Sequence, residues 1–226
     1  MKRALFGITA VAVLATPAAG QTVRLDEGTF RILVGGREVG TETFSLRQNG
    51  TGDDAVVIAQ GRVVLDSNET TANVQLAGAG LRLVAYDVEL SGADARRIRA
   101  SVSRGRASSR TLSAAGETMK EYLVSDGAVL LDDGVAHHYY MIARRAEAGA
   151  TQTAILIPRE SRQVQATITQ SGPEPVSIGG ASVQARKIVV QPAGGDPRTV
   201  WVDGQNRVLR VEIPARNYVA VRTEAP

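Results

Sequence analysis

Beyond its first twenty residues, the chain alternates apolar and polar positions almost without interruption. In "GTFRILVGGREVGTETFSL", Phe30, Ile32 and Val34 share one face of an extended arm; on the second arm Val39, Thr41, Thr43 and Ser45 alternate with Gly40, Glu42, Phe44 and Leu46. A period of two marks a strand with one buried face. Gly35-Gly36 between the arms supplies the backbone freedom of a tight hairpin. The same pattern predicts strands in "AVVIAQGRVVL", "ANVQLAG", "LRLVAYDVEL" and "RRIRASVSR", and later in "TAILIP", "RQVQATITQ", "SIGGASVQARKIVVQ", "RTVWVD" and "RVLRVEI". Within "LRLVAYDVEL" the expected buried face is Val84, Tyr86, Val88 and Leu90. Turn chemistry marks Ser91-Gly92-Ala93-Asp94, "SGPEP", "PAGGDP" and "DGQN". The last of these joins Val200 to Asp203 with Arg207 to Ile213 as a hairpin. "VGGREV" and "IGGASV" read as two similar hairpin turns.

One stretch breaks the period. In "LLDDGVAHHYYMIARR", Val135, Tyr139, Ile142 and Ala146 recur at helical spacing, with Ala136 and Ala143 beside them. Asp132 or Asp133 is placed to cap the N-terminus, and Arg144 and Arg145 fall where the negative end of the helix favours cations. A run of short strands with hairpin-length links and a single helix around 133–147 predicts a mainly β fold. A sheet of about ten strands tends to curl. The expectation is therefore one curved antiparallel sheet, or an unclosed β-barrel, with the helix on or inside its concave face.

The first twenty residues change the picture of compartment. Lys2 and Arg3, an uncharged run from Ala4 to Leu14 and the small residues Ala18-Ala19-Gly20 have the three-part layout of a secretory signal peptide. The apolar run is too short for a membrane span of roughly 20 residues. The expected organisation is a signal peptide over 1–20 and a single antiparallel β domain over 21–226, periplasmic or secreted, with no stable membrane span. Of 26 Lys plus Arg against 23 Asp plus Glu, losing Lys2 and Arg3 leaves 24 against 23. So near-neutral a chain gives no reason to expect a nucleic-acid partner. In "ARRIRASVSRGRASSR" the arginines take alternate positions, as on the wet face of a strand, with no interleaved aromatics to stack bases. The absence of cysteine excludes disulfides, thiol nucleophiles and thiolate metal sites.

Candidate chemistry concentrates in the helical stretch, which holds the only two histidines. His137 and His138 are adjacent and leave a helix about 100° apart, so they do not form the i, i+4 pair of a helical zinc site. The position one turn after His137 is Met141. No G-x-S-x-G elbow accompanies them. "GGREVGT" lacks the lysine of a phosphate loop, and "LDDG" lacks the signature of aspartic proteases. No catalytic residue, metal site or cofactor is expected.

Three segments together carry a resemblance: "GGREVG" followed by "TETFSL", the central "LVSDGAVLLDDGVAHHYYMIARR", and the terminal "VWVDGQNRVLRVEIP". Taken together the layout resembles a loose group of uncharacterised bacterial exported proteins. It is similar in architecture to the periplasmic lipoprotein-carrier fold, an unclosed antiparallel barrel whose concave apolar face is covered by helices and accepts acyl chains. The resemblance implies a non-catalytic exported domain that binds a lipid or other apolar ligand in a concave groove. Tyr86, Val88, Tyr139, Ile142 and Trp201 are the expected wall residues. Two alternatives stand beside it: an exported hydrolase using His137 or His138, and a structural or adaptor module with a filled core. The discriminating observations are whether either imidazole meets a serine or carboxylate in a cleft, and whether the interior is hollow.

Overall fold

Strand after strand pairs with its chain neighbour, as hairpin-length connections require. The computed structural model describes residues 22–226, so the expected signal peptide lies outside the described residues. The N-terminal hairpin is β1 (Val23–Val34) and β2 (Arg37–Asn49), joined at Gly35-Gly36 with φ of +59° and +79°. A meander follows: β3 (Val56–Leu65), β4 (Asn68–Ala77), β5 (Arg82–Leu90), β6 (Arg96–Ser103), β7 (Arg106–Ser113) and β8 (Gly116–Leu123). After the short β9 (Val129–Leu130), a 3-10 turn at Ala136–His138 runs directly into α1 (Tyr139–Glu147). A second meander completes the fold: β10 (Gln152–Ile157), β11 (Arg162–Ile178), β12 (Ala181–Pro192), β13 (Arg198–Val202), β14 (Val208–Ile213) and β15 (Tyr218–Arg222).

All fifteen strands belong to one sheet, ordered β8-β7-β6-β5-β4-β3-β2-β1-β15-β14-β13-β12-β11-β10-β9. Pairing is antiparallel throughout except between β9 and β10. The two meanders are joined where β15 pairs with β1, with Ile32 opposite Ala220. The sheet is not closed by a hydrogen-bonded ladder. Its two sides nonetheless meet, because β9 packs against β5, and the turn Pro158–Glu160 after β10 packs against β6.

Alternation decides which face is filled. Phe30 and Ile32, Phe44 and Leu46, Ala72 and Val74, Tyr86 and Val88, and Ile98 and Ala100 are inward pairs two residues apart, all buried in one core. The helix and the residue before it supply the rest of that core with Val135, Tyr139, Tyr140, Met141, Ile142 and Ala143. Its 3-10 turn rests on β3 and β14, and α1 on β9, β11 and β14. A second, smaller cluster of Val176, Ile178, Ala185, Trp201 and Leu209 forms where the β11–β12 hairpin folds back. It uses the opposite face: on β13, Val200 and Val202 join the main core while Trp201 between them joins the small one.

Several expectations are corrected. The sheet has fifteen strands, not about ten, because β7, β8, β9 and β15 carry little apolar alternation. β8 is exposed at every residue but Tyr122, β9 has two residues, and β15 turns Tyr218, Ala220 and Arg222 inward. "SGPEP" is no turn. β11 runs through it, with a bulge between Ser171 and Pro173 that absorbs the missing backbone donor. On β5 a register shift opposite Gln75 and Leu76 buries Leu83 in place of Val84. The helical residues are Ala136–Glu147, and neither Asp132 nor Asp133 caps them. The arginines do sit in the last turn.

Candidate functional site

The helix meets the sheet through a polar cluster, and Glu42 is its centre. Strand alternation puts Glu42 on the inward face of β2 beside Phe44, where it is fully buried. A buried carboxyl group must find donors, and those available are the open N–H groups at the start of the helix. Oε2 accepts the Ala136 amide at 2.6 Å. Oε1 accepts the His137 amide at 3.0 Å and the His137 Nδ1–H at 2.6 Å. Glu42 therefore caps the helix from across the core, in the place expected of Asp132 or Asp133, and complements the positive end of its dipole.

His137 lies in a slot cut for it. Its ring stacks parallel on Phe44, with centroids 5.9 Å apart and an interplanar angle of 2°. On its other side is the backbone of Gly61 on β3. A Cβ added there would stand 2.6 Å from Nδ1 and closer still to Cε1. His138 meets His137 edge-on at 4.6 Å and 71°, and Tyr86 at 5.8 Å and 73°. Its Nδ1 accepts the Asp132 amide at 3.2 Å, which places the proton of the neutral ring on Nε2. Burial pushes the His138 pKa well below that of an ordinary histidine, and His137 and Arg159 act in the same direction.

The two aspartates tie the segment before the helix to the sheet. The Tyr86 hydroxyl on β5 donates to Asp132 Oδ2. Arg159, in the turn after β10, donates Nε to Oδ2 at 2.8 Å and sits 2.7 Å from Oδ1. Burial raises the Asp132 pKa, opposed by Arg159 and by the Tyr86 hydroxyl. Asp133 receives Arg198 of β13 at 3.3 Å and Arg216 at 3.0 Å.

A His–carboxylate pair of this geometry orients a general base in many hydrolases. Here the carboxylate distance is met and the cleft is not. Both histidines are 1% exposed, Nε2 of each has no partner, and neither hydrogen-bonds a serine. Among the described residues there is no group of three or more His, Asp or Glu able to hold a metal ion.

Of the five expected wall residues, Tyr86, Val88, Tyr139 and Ile142 come together in the main core. Trp201 does not join them. It lies in the second cluster, donating Nε1 to Glu174 at 2.5 Å, with Lys187 and Arg210 each 5.6 Å from its ring centre. The arginine row on β6 faces outward, as its alternation implies, and is paired across strands. Arg97 and Arg99 reach Asp87 at 2.7 and 3.2 Å, and Arg110 of β7 reaches Glu117 at 2.5 Å.

A groove of about 620 Å³ opens on the outer face of β1–β4, away from the helix. Sequence reasoning passed over both this groove and Glu42. Glu42 had a signal: an acid on the inward register between Gly40 and Phe44 requires a buried partner. The groove had none, because alternating polar residues describe any wet sheet face. No family model, curated protein or solved structure matches this chain.

Proposed function

We propose that this chain is a non-catalytic exported domain whose interior is filled by its own helix and which works through its outer surface, as a binding or adaptor module. One observation carries the reading. Val135, Tyr139 and Ile142, the stripe expected to cover a ligand groove, fill the concave face themselves and are 5% exposed or less. A lipid in that place has to displace the helix, breaking the three bonds to Glu42 and exposing a large apolar surface on both partners. The signal-peptide layout of residues 1–20 supports export. The burial of both imidazoles away from any cleft favours a non-catalytic role over hydrolysis.

Native mass spectrometry of protein purified from its own envelope, with and without added phospholipid, tests the filled interior. The expected result is the bare mass of the chain with no uptake. A co-purifying lipid mass, or stoichiometric uptake that protects the 136–147 amides from exchange, overturns the reading and favours the carrier function implied by the architectural resemblance.

A further inference from the structure

The closed structure has no place for a second proton on His138. Its ring is 1% exposed and meets the rings of His137 and Tyr86 edge-on. Nδ1 accepts the Asp132 amide at 3.2 Å, so its lone pair is in use, and the buried Nε2–H has no partner. A proton added at Nδ1 sets an N–H against the Asp132 N–H. Two donors cannot form one hydrogen bond, so the bond is lost. Turning the ring gives no remedy, because both nitrogens of an imidazolium are donors.

The groups around the ring do not compensate its charge. Glu42 of β2 is taken up by the Ala136 amide, the His137 amide and the His137 ring. The Tyr86 hydroxyl of β5 is turned to Asp132, whose carboxylate also holds Arg159 from the turn after β10. Asp133 is paired with Arg198 and Arg216. β3 and β14 also touch the 136–138 turn, and their charged residues are engaged elsewhere, Arg62 with Glu69 and Arg210 with Glu212. Burial, His137 and Arg159 all act against a charge on His138.

The bond at risk sits at the seam of the sheet. Asp132, which gives its amide to His138, uses its carboxylate to join Tyr86 on the β5 side to Arg159 on the β10 side. Between these two sides the sheet has no hydrogen-bonded ladder. We infer that His138 is a proton-operated latch: protonation at Nδ1 frees the Leu131–His138 segment, and the seam between β5–β6 and β9–β10 opens in acid while the strand ladders stay intact. An exported domain takes the pH of its surroundings, and a latch of this kind reads it. The inference rests on the helix filling the interior at neutral pH. The two fail separately, because lipid uptake at neutral pH tests the filling and the change of protection with pH tests the latch.

The test is amide hydrogen exchange of the full mature chain, expressed as protection factors, from about pH 7.5 to about pH 5. Protection at 131–138 should be level above about pH 6.5 and fall by up to about tenfold per pH unit below it, as uptake of one proton on opening requires. Amides of β1, β2 and β15 should hold their protection. His138→Asn keeps an acceptor for the Asp132 amide without a titratable ring, and should make protection at 131–138 level across the whole range. Protection in the parent that does not change with pH overturns the inference. So does a loss spread evenly over the sheet, or a pH dependence that His138→Asn retains. If that variant does not fold, the ¹⁵N shifts of the parent's imidazoles decide: protonation of His138 in step with the loss of protection is expected, and a ring still neutral where protection has fallen overturns the latch.

Discussion

Replacing Glu42 asks whether one buried side chain holds the helix in place. Its carboxyl oxygens accept three N–H groups, two from the backbone at Ala136 and His137 and one from the His137 ring. Glu42→Gln keeps one acceptor oxygen but turns an amide NH2 toward groups that also donate, so at least one buried N–H loses its partner. That costs about 1–3 kcal/mol. Glu42→Ala orphans all three donors and leaves a void under the helix. Against this, the buried carboxyl group no longer has to be desolvated, so the cost is about 3–5 kcal/mol rather than a sum of three full penalties. For a domain of this size a loss of 4 kcal/mol lowers Tm by roughly 8–16 °C. Trp201 is the only tryptophan, and it lies in the small cluster away from the helix, so its fluorescence during urea unfolding reports the sheet as a whole. Amide exchange at 136–147 reports the helix separately. The expected order is parent, then Glu42→Gln, then Glu42→Ala, with helix amides losing more protection than those of β3 and β4. If both variants lie within about 0.5 kcal/mol of the parent, or if exchange accelerates evenly over the sheet, the helix is held by apolar packing alone and the reasoning fails.

Gly61→Ala should destabilise by about 1–3 kcal/mol, because the new methyl group meets the His137 ring, which Phe44 and His138 prevent from moving; Gly172→Ala, with open space around it, should instead be neutral or stabilising by up to about 1 kcal/mol. Urea midpoints decide both, and a neutral Gly61→Ala removes the slot from the argument. His138 is buried neutral with a depressed pKa, so the unfolded chain takes up a proton that the folded one does not. Its contribution is complete above about pH 6.5 and declines below it by at most about 1.4 kcal/mol per pH unit. Asp26 and Asp132, whose pKa values burial raises, act with the opposite sign, between 3.8 and their folded values. His138→Asn keeps an acceptor for the Asp132 amide and should flatten the stability profile between about pH 6.5 and 5; an unchanged slope rules out His138 as its source.

What was legible in the sequence follows from what forces each element. Wherever one face is buried and the other wet, as on β2 to β6, the period of two was visible and the strands were placed. Where neither condition holds, the pattern vanishes. β8 pairs with β7 as its one strand neighbour and reaches the core only through Tyr122, with Met119 and Leu123 69% and 71% exposed, and β15 hides its strand character by turning an arginine inward. That arginine, Arg222, is satisfied by Asp26 of β1, by the Val208 carbonyl, and by Phe30 and Phe44 beneath its guanidinium. Such partners are distant in sequence and set by the fold, so no local window contains them. The helix was legible from its stripe, and its cap was not, for the same reason: the capping residue lies on β2.

The polar cluster also accounts for how an unclosed sheet keeps its shape. Apolar burial is non-directional, so a short helix on a curved apolar surface has several nearly equivalent resting places, and two sheet edges without a shared ladder have no fixed distance. Glu42 removes the first freedom by binding the helix N-terminus to β2. Asp132 removes the second, since Tyr86 comes from the β5 side of the opening and Arg159 from the β10 side, and both converge on one carboxylate. Asp133 adds β13 through Arg198 and the turn before β15 through Arg216. The residues that look most like an active site are thus those whose directional bonds replace the missing strand pairing. The Nε2 of His137 and of His138 stay buried without partners, a cost that makes sense where the rings serve as wedges between Gly61, Phe44 and Tyr86.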